Sequence, residues 1–246
     1  MFVEDHELAI TDRFYSWGWE RSNCNAEVRI MPAPKLSTRK ILGADNRKEG
    51  ILFVITGTPR YLCRFQQFAN YQFADYLLWQ RNFFDALLPA VREKLRVRPH
   101  QEDYGWDIQQ RWQDTFSDVC IEDWQVTFRD SLENCRLYVC DHLSTTFVEA
   151  LSANKPSILF WDSSINEVRD DAKPYYAALK SAGILYRSPE EAAQAVNAVY
   201  DDVETWWKEP VRQAARQSFC DKFALTVADP LHSWVNEFKR TINELK

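Results

Sequence analysis

Short apolar runs alternate with segments of helical periodicity from residue 51 onward, and this alternation constrains the fold more than any other feature of the chain. We interpret as strands the apolar runs at residues 51–55, 95–98, 119–121, 137–140, 157–160 and 184–186. Apolar residues three and four positions apart predict helices over residues 75–95, 108–115, 126–134, 174–182, 189–207, 211–223 and 230–245. Strands separated by helices form βαβ units, whose right-handed crossovers produce a parallel sheet. We therefore predict an α/β fold: a doubly wound, Rossmann-like parallel sheet with a helical C-terminal tail.

Residues 1–46 lack this alternation, and we place them outside the domain formed by residues 47–246. Tyr15, Trp17 and Trp19 form an aromatic group without clear periodicity. We expect this N-terminal segment to be an irregular arm or linker that packs outside the sheet. Its aromatic side chains should leave an exposed apolar patch, because no amphipathic element is predicted to bury them.

Composition and charge argue against several classes of protein. A net charge of −6 is unfavourable for a nucleic-acid-binding domain. The six cysteines show no paired C-x-x-C spacing, so we predict small buried side chains in a reducing compartment, not disulfides or a zinc site. The N-terminus lacks the apolar core of a signal peptide, and no apolar stretch approaches transmembrane length. We therefore expect a cytoplasmic protein without a transmembrane segment.

Three consecutive hydroxyl residues, Ser144, Thr145 and Thr146, lie in the turn between the strand predicted at residues 137–140 and a following helix. The first turn of a helix presents free N–H groups and the positive end of the helix dipole, so we predict a phosphate site there. Glu149 lies four residues after Thr145, on the same helix face, where its carboxylate could hold the hydroxyls of a sugar. The alternative that Ser144 is only a helix N-cap stays open.

Polar residues also follow other predicted strands, and ligands of doubly wound sheets bind at the carboxyl ends of the strands. The candidates for contact with a nucleotide or an acceptor are Arg60 and Arg64 after the first strand, His100 and Asp103 after the second, His142 after the fourth, and Trp161 and Arg169 after the fifth. Structural alternatives remain: an ordinary turn at Gly57, a surface loop for His100 and a helix N-cap for Asp103. Trp161 and Arg169 could also be structural.

Several motifs of known chemistry are absent from the sequence. It contains no G-x-G-x-x-G dinucleotide fingerprint and no G-x-x-x-x-G-K-[ST] phosphate loop. It also contains no H-E-x-x-H zinc motif and no G-x-S-x-G nucleophile elbow. We therefore predict no metal site and no cofactor, and we expect hydroxyls and helix N–H groups to bind phosphate in place of a glycine-rich loop.

Several longer segments carry a resemblance to a known family. They are residues 5–19 (DHELAITDRFYSWGW), 31–35 (MPAPK), 103–106 (DYGW), 110–112 (QRW), 141–149 (DHLSTTFVE), 158–161 (ILFW), 173–176 (KPYY) and 182–184 (AGI). With these segments in this order, nearly the whole chain resembles a family of bacterial transferases of O-antigen and surface-carbohydrate biosynthesis, first defined in Leptospira. The C-terminal region of that family resembles the nucleotide-sugar-binding half of GT-B glycosyltransferases.

The resemblance implies a glycosyltransferase, or its donor-binding half, that transfers a sugar from a nucleotide-sugar to a bacterial surface polysaccharide or O-antigen. The turn Ser144–Thr146 would bind the donor phosphate, and Glu149 would bind the ribose or the sugar. GT-B enzymes that use CMP-sugars carry a Ser-Ser/Thr motif, which the start of this turn matches. They also carry a His-Pro motif, which is present here only in reverse, as Pro99 and His100.

The implied partners are a nucleotide-sugar donor, which is a substrate and not a cofactor, and a glycan or lipid-linked acceptor. Because proteins of the family are longer, the resemblance also implies that residues 1–46 continue from an N-terminal half that this chain lacks. That half would carry the acceptor site and the catalytic base, so no catalytic residue is assigned here. A lipid-linked acceptor would place the protein at the periphery of the inner membrane.

Three alternatives to glycosyl transfer stay open at this point. Related GT-B proteins epimerise nucleotide-sugars, and others transfer polyol phosphates, as teichoic-acid polymerases do. A catalytically silent module that only binds a nucleotide-sugar, including a gene remnant, is the third.

Overall fold

The structure, a computed structural model, describes residues 3–38, 41–61 and 70–244. The strands are β1 (Arg13–Ser16), β2 (Glu27–Ile30), β3 (Ile51–Val54), β4 (Leu95–Arg98), β5 (Cys120–Ile121), β6 (Leu137–Cys140), β7 (Ser157–Phe160) and β8 (Leu185–Tyr186). The helices are α1 (Val3–Ile10), α2 (Pro34–Ser37), α3 (Asn70–Ala86), α4 (Pro89–Arg92), α5 (Ile108–Thr115), α6 (Phe128–Asn134), α7 (Thr145–Ser152), α8 (Lys173–Ser181), α9 (Pro189–Val199), α10 (Val203–Lys208), α11 (Pro210–Phe223) and α12 (Pro230–Glu244). A single 3-10 turn, Tyr200–Asp202, joins α9 to α10.

Strands β3 to β8 form one parallel sheet in the order β5-β4-β3-β6-β7-β8. The chain runs outward from β3 to β5, returns to the other side of β3 with β6, and continues to β8. This is the strand order of a doubly wound, Rossmann-like sheet, so the predicted fold class is confirmed. The reversal between β3 and β6 is a topological switch point, where ligands of such sheets bind.

The central strands are buried on both faces, which explains their continuous apolar character. Every residue of β3, β6 and β7 is buried. On one face, Phe53 and Phe160 each lie 4.9 Å from the ring of Phe83 in α3. On the other face, Phe147 of α7 lies 5.6 Å from Trp161. The two aromatic groups fix helices on opposite sides of the sheet.

The predicted strand boundaries agree with the structure to within one residue, but two predicted helices are interrupted. The helix predicted at residues 75–95 ends at Ala86, and α4 begins separately at Pro89. Leu88 is extended, because a residue before proline avoids the helical region. The helix predicted at residues 189–207 is divided by the 3-10 turn, after which the Asp202 side chain caps α10.

The N-terminal segment contains regular elements, unlike the irregular arm that we expected. After α1, strands β1 and β2 pair in parallel outside the six-stranded sheet. Both strands contact α12: the ring of Tyr15 lies 5.1 Å from that of Trp234, and Arg29 lies 2.6 Å from Glu237. The segment is therefore ordered by contacts with the C-terminal helix, which local sequence patterns do not reveal.

The predicted aromatic patch is smaller than expected. Trp17 is 41% exposed, but Tyr15 and Trp19 are half-buried. The ring of Trp19 lies 5.3 Å from that of Phe14. Only one of the three aromatic side chains is thus substantially exposed.

The prediction of buried cysteine side chains holds for Cys135, at the end of α6, and for Cys140, the last residue of β6. Cys135 and Cys140 are buried, whereas Cys120 is exposed. The difference follows from position, because Cys120 lies in β5 at the edge of the sheet. Cys63 lies outside the described residues.

Candidate functional site

The hydroxyl of Tyr76, from α3, spans the switch point between β3 and β6. It accepts a hydrogen bond from the backbone N–H of Thr56 at 2.8 Å and donates one to Asp141 at 2.7 Å. The other carboxylate oxygen of Asp141 accepts a hydrogen bond from Gln80 at 3.0 Å. Burial, together with the nearby Asp141 charge, raises the pKa of Tyr76, so its hydroxyl stays protonated. The loops after β3 and β6 are thereby fixed relative to each other.

The predicted hydroxyl turn lies at this edge of the sheet, at the N-terminus of α7. Tyr138 of β6 donates a hydrogen bond to Oγ1 of Thr146 at 3.0 Å, and this oxygen lies 2.7 Å from Oγ of Ser144. Burial raises the pKa of Tyr138, so its hydroxyl stays protonated and donates to Thr146, whereas either hydroxyl can be the donor between Thr146 and Ser144. Thr145 is exposed beside this chain of hydroxyls.

Ser144 occupies the N-cap position of α7, but its side chain accepts no hydrogen bond from the helix. Ser188, by contrast, accepts one from the N–H of Glu191 at 3.1 Å and caps α9 in the usual way. The N-cap alternative therefore describes the position of Ser144 but not the use of its hydroxyl.

His142 lies between β6 and α7, with a buried ring. Its Nδ1 lies 2.9 Å from Oδ1 of Asp141 and 3.5 Å from Sγ of Cys140. Burial opposes a charge on the ring, but Cys140 and Asp141 outweigh it, and the pKa of His142 is raised. Burial likewise raises the pKa of the Cys140 thiol, but His142 outweighs this effect, and that pKa is lowered. His142 is therefore an oriented, protonated group beside the hydroxyl turn.

Glu149 is paired with a residue that was not among the predicted site residues. It is 4% exposed, and its Oε1 accepts a hydrogen bond from Nζ of Lys35 at 2.6 Å. Lys35 lies in α2, and its side chain is 70% exposed. The sequence signal was its place in the segment of residues 31–35, one of those that carry the family resemblance. Because Glu149 lies one helical turn after Thr145, the ion pair lies next to the hydroxyl turn.

The loops after β3 and β4 pack together on the other side of the switch point. A Cβ atom at Gly57 would lie 3.1 Å from the ring of Tyr104 and 3.2 Å from His100, so close approach explains the glycine. His100 is exposed, with its ring 4.9 Å from that of Tyr104. The backbone N–H of Arg60 donates a hydrogen bond to the carbonyl of Tyr104 at 3.0 Å. Arg64 lies outside the described residues.

Asp103 stabilises the turn that leads into α5. One carboxylate oxygen accepts a hydrogen bond from the N–H of Ile108 at 2.8 Å. The other accepts from Gly105 at 3.0 Å and from Asp107 at 2.9 Å. Burial opposes ionisation of Asp103, but these backbone bonds lower its pKa. The structural alternative is favoured for Asp103, because both of its oxygens are engaged by the backbone.

The candidates after β7 are Trp161 and Arg169. Trp161 is buried, and its ring lies 6.0 Å from that of Tyr176, which favours a packing role. Arg169 lies 2.7 Å from Asp171 and 5.4 Å from the ring of Trp19. Arg169 lines a cleft of about 210 Å³ between the N-terminal segment and α8.

The structure thus brings together part of the predicted set. The turn Ser144–Thr146 and His142 lie at the N-terminus of α7, and Arg60 and His100 lie in the loops across the switch point. Glu149 lies beside α2, where it is paired with Lys35.

Two further properties concern the described part of the chain. No group of three or more His, Cys, Asp or Glu side chains there is arranged to hold a metal ion. Within the same residues, no helix has the length and apolar character needed to cross a membrane. Among the described residues, the side chains next to the N-terminus of α7 include the hydroxyls of the turn, the imidazole of His142 and the carboxylate of Asp141.

Comparison with known protein families gives a match. The model of a family described as the LIC12162 family transferase matches residues 1–238. No curated protein matches the sequence. The match covers the N-terminal segment, the whole six-stranded sheet and most of α12. The chain therefore belongs to the LIC12162 family of transferases.

Proposed function

We propose that the chain binds a nucleotide-sugar and is the donor-binding part of a glycosyltransferase. One observation carries the proposal: α7 begins at the switch point of a doubly wound sheet, with a hydroxyl turn whose N-cap side chain does not engage the helix. Ligands of such sheets bind at this point, and helix N-termini favour phosphate. Membership of a transferase family supports the proposal, because transfer needs an activated donor.

In this proposal the turn Ser144–Thr146 holds the donor phosphate. The hydrogen-bond chain from Tyr138 leaves Ser144 at its end, where the hydroxyl can donate to a phosphate oxygen. Such donors, fixed before the reaction, contribute most where negative charge develops on the leaving group. The first N–H groups of α7 point the same way.

The pair of Lys35 and Glu149 serves the sugar or the ribose. In this proposal the carboxylate of Glu149, which accepts a hydrogen bond from Lys35, also accepts hydrogen bonds from sugar hydroxyls, because each carboxylate oxygen can accept more than one. The ammonium of Lys35 offsets the cost of burying the Glu149 charge. The loops that hold Arg60 and His100 lie where they could contact the nucleoside.

Completing the reaction needs an acceptor and a base, and the proposal places both outside this chain. The acceptor would be a surface glycan or a lipid-linked precursor of one, and a separate N-terminal half would supply the catalytic base. Co-expression of the chain with a candidate half, followed by a transfer assay, tests this step.

The direct test is calorimetric titration of the purified chain with CMP, CDP, UDP and GDP. We expect one of the four to bind more tightly than inorganic phosphate, because base, ribose and phosphate all make contacts. Ser144→Ala, in the hydroxyl turn, should weaken binding of that nucleotide. Ser188→Ala, which removes a cap on α9, should leave its affinity unchanged. A chain that binds none of the four would rule out a nucleotide-sugar site.

The same titration separates the alternative reactions. Preference for CDP, with binding of a CDP-polyol, would favour polyol-phosphate transfer. Conversion of a nucleotide-sugar to its epimer without an acceptor would favour an epimerase. Binding with neither reaction, even beside a matching N-terminal half, would favour a silent binding module.

A further inference from the structure

The ring of His142 is fixed so that one of its nitrogens remains for a ligand. Among the described residues, both hydrogen-bond contacts of the ring involve Nδ1, which lies 2.9 Å from Asp141 and 3.5 Å from Cys140. The carboxylate of Asp141 is itself held by Tyr76 and Gln80, and both of these side chains are buried. Rotation of the imidazole would break these contacts, so the direction of Nε2 is set by a rigid, buried network.

The chemistry of the ring makes Nε2 a hydrogen-bond donor. Burial opposes the charged form of His142, but Cys140 and Asp141 raise its pKa, which favours a ring that carries a proton on both nitrogens. His142 lies two residues before Ser144, at the start of a helix whose dipole favours an anion. A charge-assisted N–H donor at this place matches a phosphate oxygen.

A reaction at the neighbouring cysteine fits the structure less well. The side chain of Cys140, the last residue of β6, is 0% exposed, so a substrate does not reach its sulfur. Its contact with Nδ1 of His142 instead favours the doubly protonated ring. Cys140 and Asp141 thus share one task, which is to orient and charge the imidazole.

We propose that Nε2 of His142 donates a hydrogen bond to the phosphate groups of the nucleotide donor, with Asp141 as the positioning residue. This inference rests on the proposed function and names the side chain that recognises phosphate charge. It differs from the role of the turn Ser144–Thr146, which supplies neutral donors. Asp141→Asn should weaken phosphate binding through His142, although Asp141 itself touches no ligand.

The test compares His142→Gln with the matched variant His232→Gln. His232 lies exposed on α12, away from the sheet edge. The probes are inorganic pyrophosphate and the tightest binder among CMP, CDP, UDP and GDP, with the matching nucleoside as a phosphate-free control. His142→Gln should lower the affinity for both phosphate ligands at least about tenfold, since a hydrogen bond to a charged group contributes that much to binding. It should leave nucleoside binding unchanged, and His232→Gln should change none of the three.

A second measurement uses the wild-type chain labelled with ¹⁵N-histidine. The Nε2 resonance of His142 should shift when pyrophosphate is added, whereas that of His232 should not. This readout decides the question even where His142→Gln fails to fold. A chain that binds nucleotide with an unmoved His142 resonance, or a folded His142→Gln variant with wild-type affinity, overturns this inference and leaves the proposed function standing. A wild-type chain that binds none of the nucleotides overturns both.

Discussion

Nζ of Lys35 lies 2.6 Å from Oε1 of Glu149, so a cation of the N-terminal segment neutralises a buried acid of α7. The two residues are 114 positions apart, and they come from parts of the chain that the sequence pattern divides at residues 46 and 47. The N-terminal segment therefore contributes directly to the edge of the sheet where the hydroxyl turn lies. The ion pair with Lys35 also explains why the carboxylate of Glu149 is tolerated at 4% exposure.

The first prediction concerns this ion pair. Lys35→Met should destabilise the chain by about 1–3 kcal/mol, because it leaves a buried carboxylate without its cation. The double variant with Glu149→Gln should lose less than the sum of the two single variants. Urea unfolding measures all three free energies. Lys208→Met, which breaks the more exposed pair with Glu204, is the control and should cost no more than about 0.5 kcal/mol. Equal losses for the two lysines would contradict the burial argument.

The second prediction concerns the hydroxyl of Tyr76. Tyr76→Phe leaves the N–H of Thr56 without its acceptor and removes one of the two contacts of Oδ1 of Asp141, which keeps only that with His142, so it should cost about 1–3 kcal/mol. Tyr61→Phe is the matched control, because Tyr61 is 77% exposed, and its free energy of unfolding should stay near the wild-type value. Thermal and urea unfolding should agree. A Tyr76→Phe variant with the wild-type free energy of unfolding would mean that this hydroxyl does not hold the loops after β3 and β6 together.

The third prediction concerns ligand binding at the hydroxyl turn. Replacing Ser144 and Thr145 together by Ala should weaken nucleotide binding by about 1–3 kcal/mol, the cost of losing hydrogen bonds to a charged group. Glu149→Gln should weaken binding of a nucleoside or nucleotide-sugar more than binding of inorganic phosphate. Calorimetry on folded variants is the measurement. Wild-type affinity in the double variant would reduce Ser144 to a helix cap.

The fourth prediction concerns the pH dependence that Asp103 confers. Its pKa is lowered in the folded chain, so its ionised form adds stability above the ordinary aspartate pKa of about 4, and this stability is lost as the pH falls through the lowered value. Asp103→Asn should therefore be less stable than the wild type by about 1 kcal/mol at pH 7. The difference should shrink toward zero in acid. Asp12→Asn, at an exposed position, is the control, and its free energy of unfolding should stay near the wild-type value. If the difference in stability between the wild type and Asp103→Asn persists unchanged at low pH, the effect comes from side-chain shape and not from the charge of Asp103.

The parallel sheet could be predicted because its strands are apolar runs buried on both faces, and this pattern is local. The break at Leu88 was also readable, since Pro89 follows it. Strands β1 and β2 could not be predicted, because they are short and partly polar and depend on α12. Arg29 and Glu237, which join them, are 208 positions apart.

In the candidate site, too, features set by local sequence could be predicted, and features set by distant contacts could not. The position of the hydroxyl turn follows from a strand, a turn and a helix that are adjacent in sequence. The pairing of Glu149 with Lys35 does not, because nothing local brings α2 to α7. Asp103 was ambiguous for another reason: a carboxylate beside a helix start satisfies backbone N–H groups as readily as it binds a ligand.

The joining of β1 and β2 to α12 also sets an order of events during synthesis. Arg13 contacts Glu244, 231 positions later, so β1 and β2 find this partner only after α12 has been synthesised. Contacts of such separation close late, because the loop entropy must be overcome before they stabilise anything. The six-stranded sheet can therefore assemble while the N-terminal strands are still unpartnered, and their docking is the step at which folding would be most easily diverted toward aggregation.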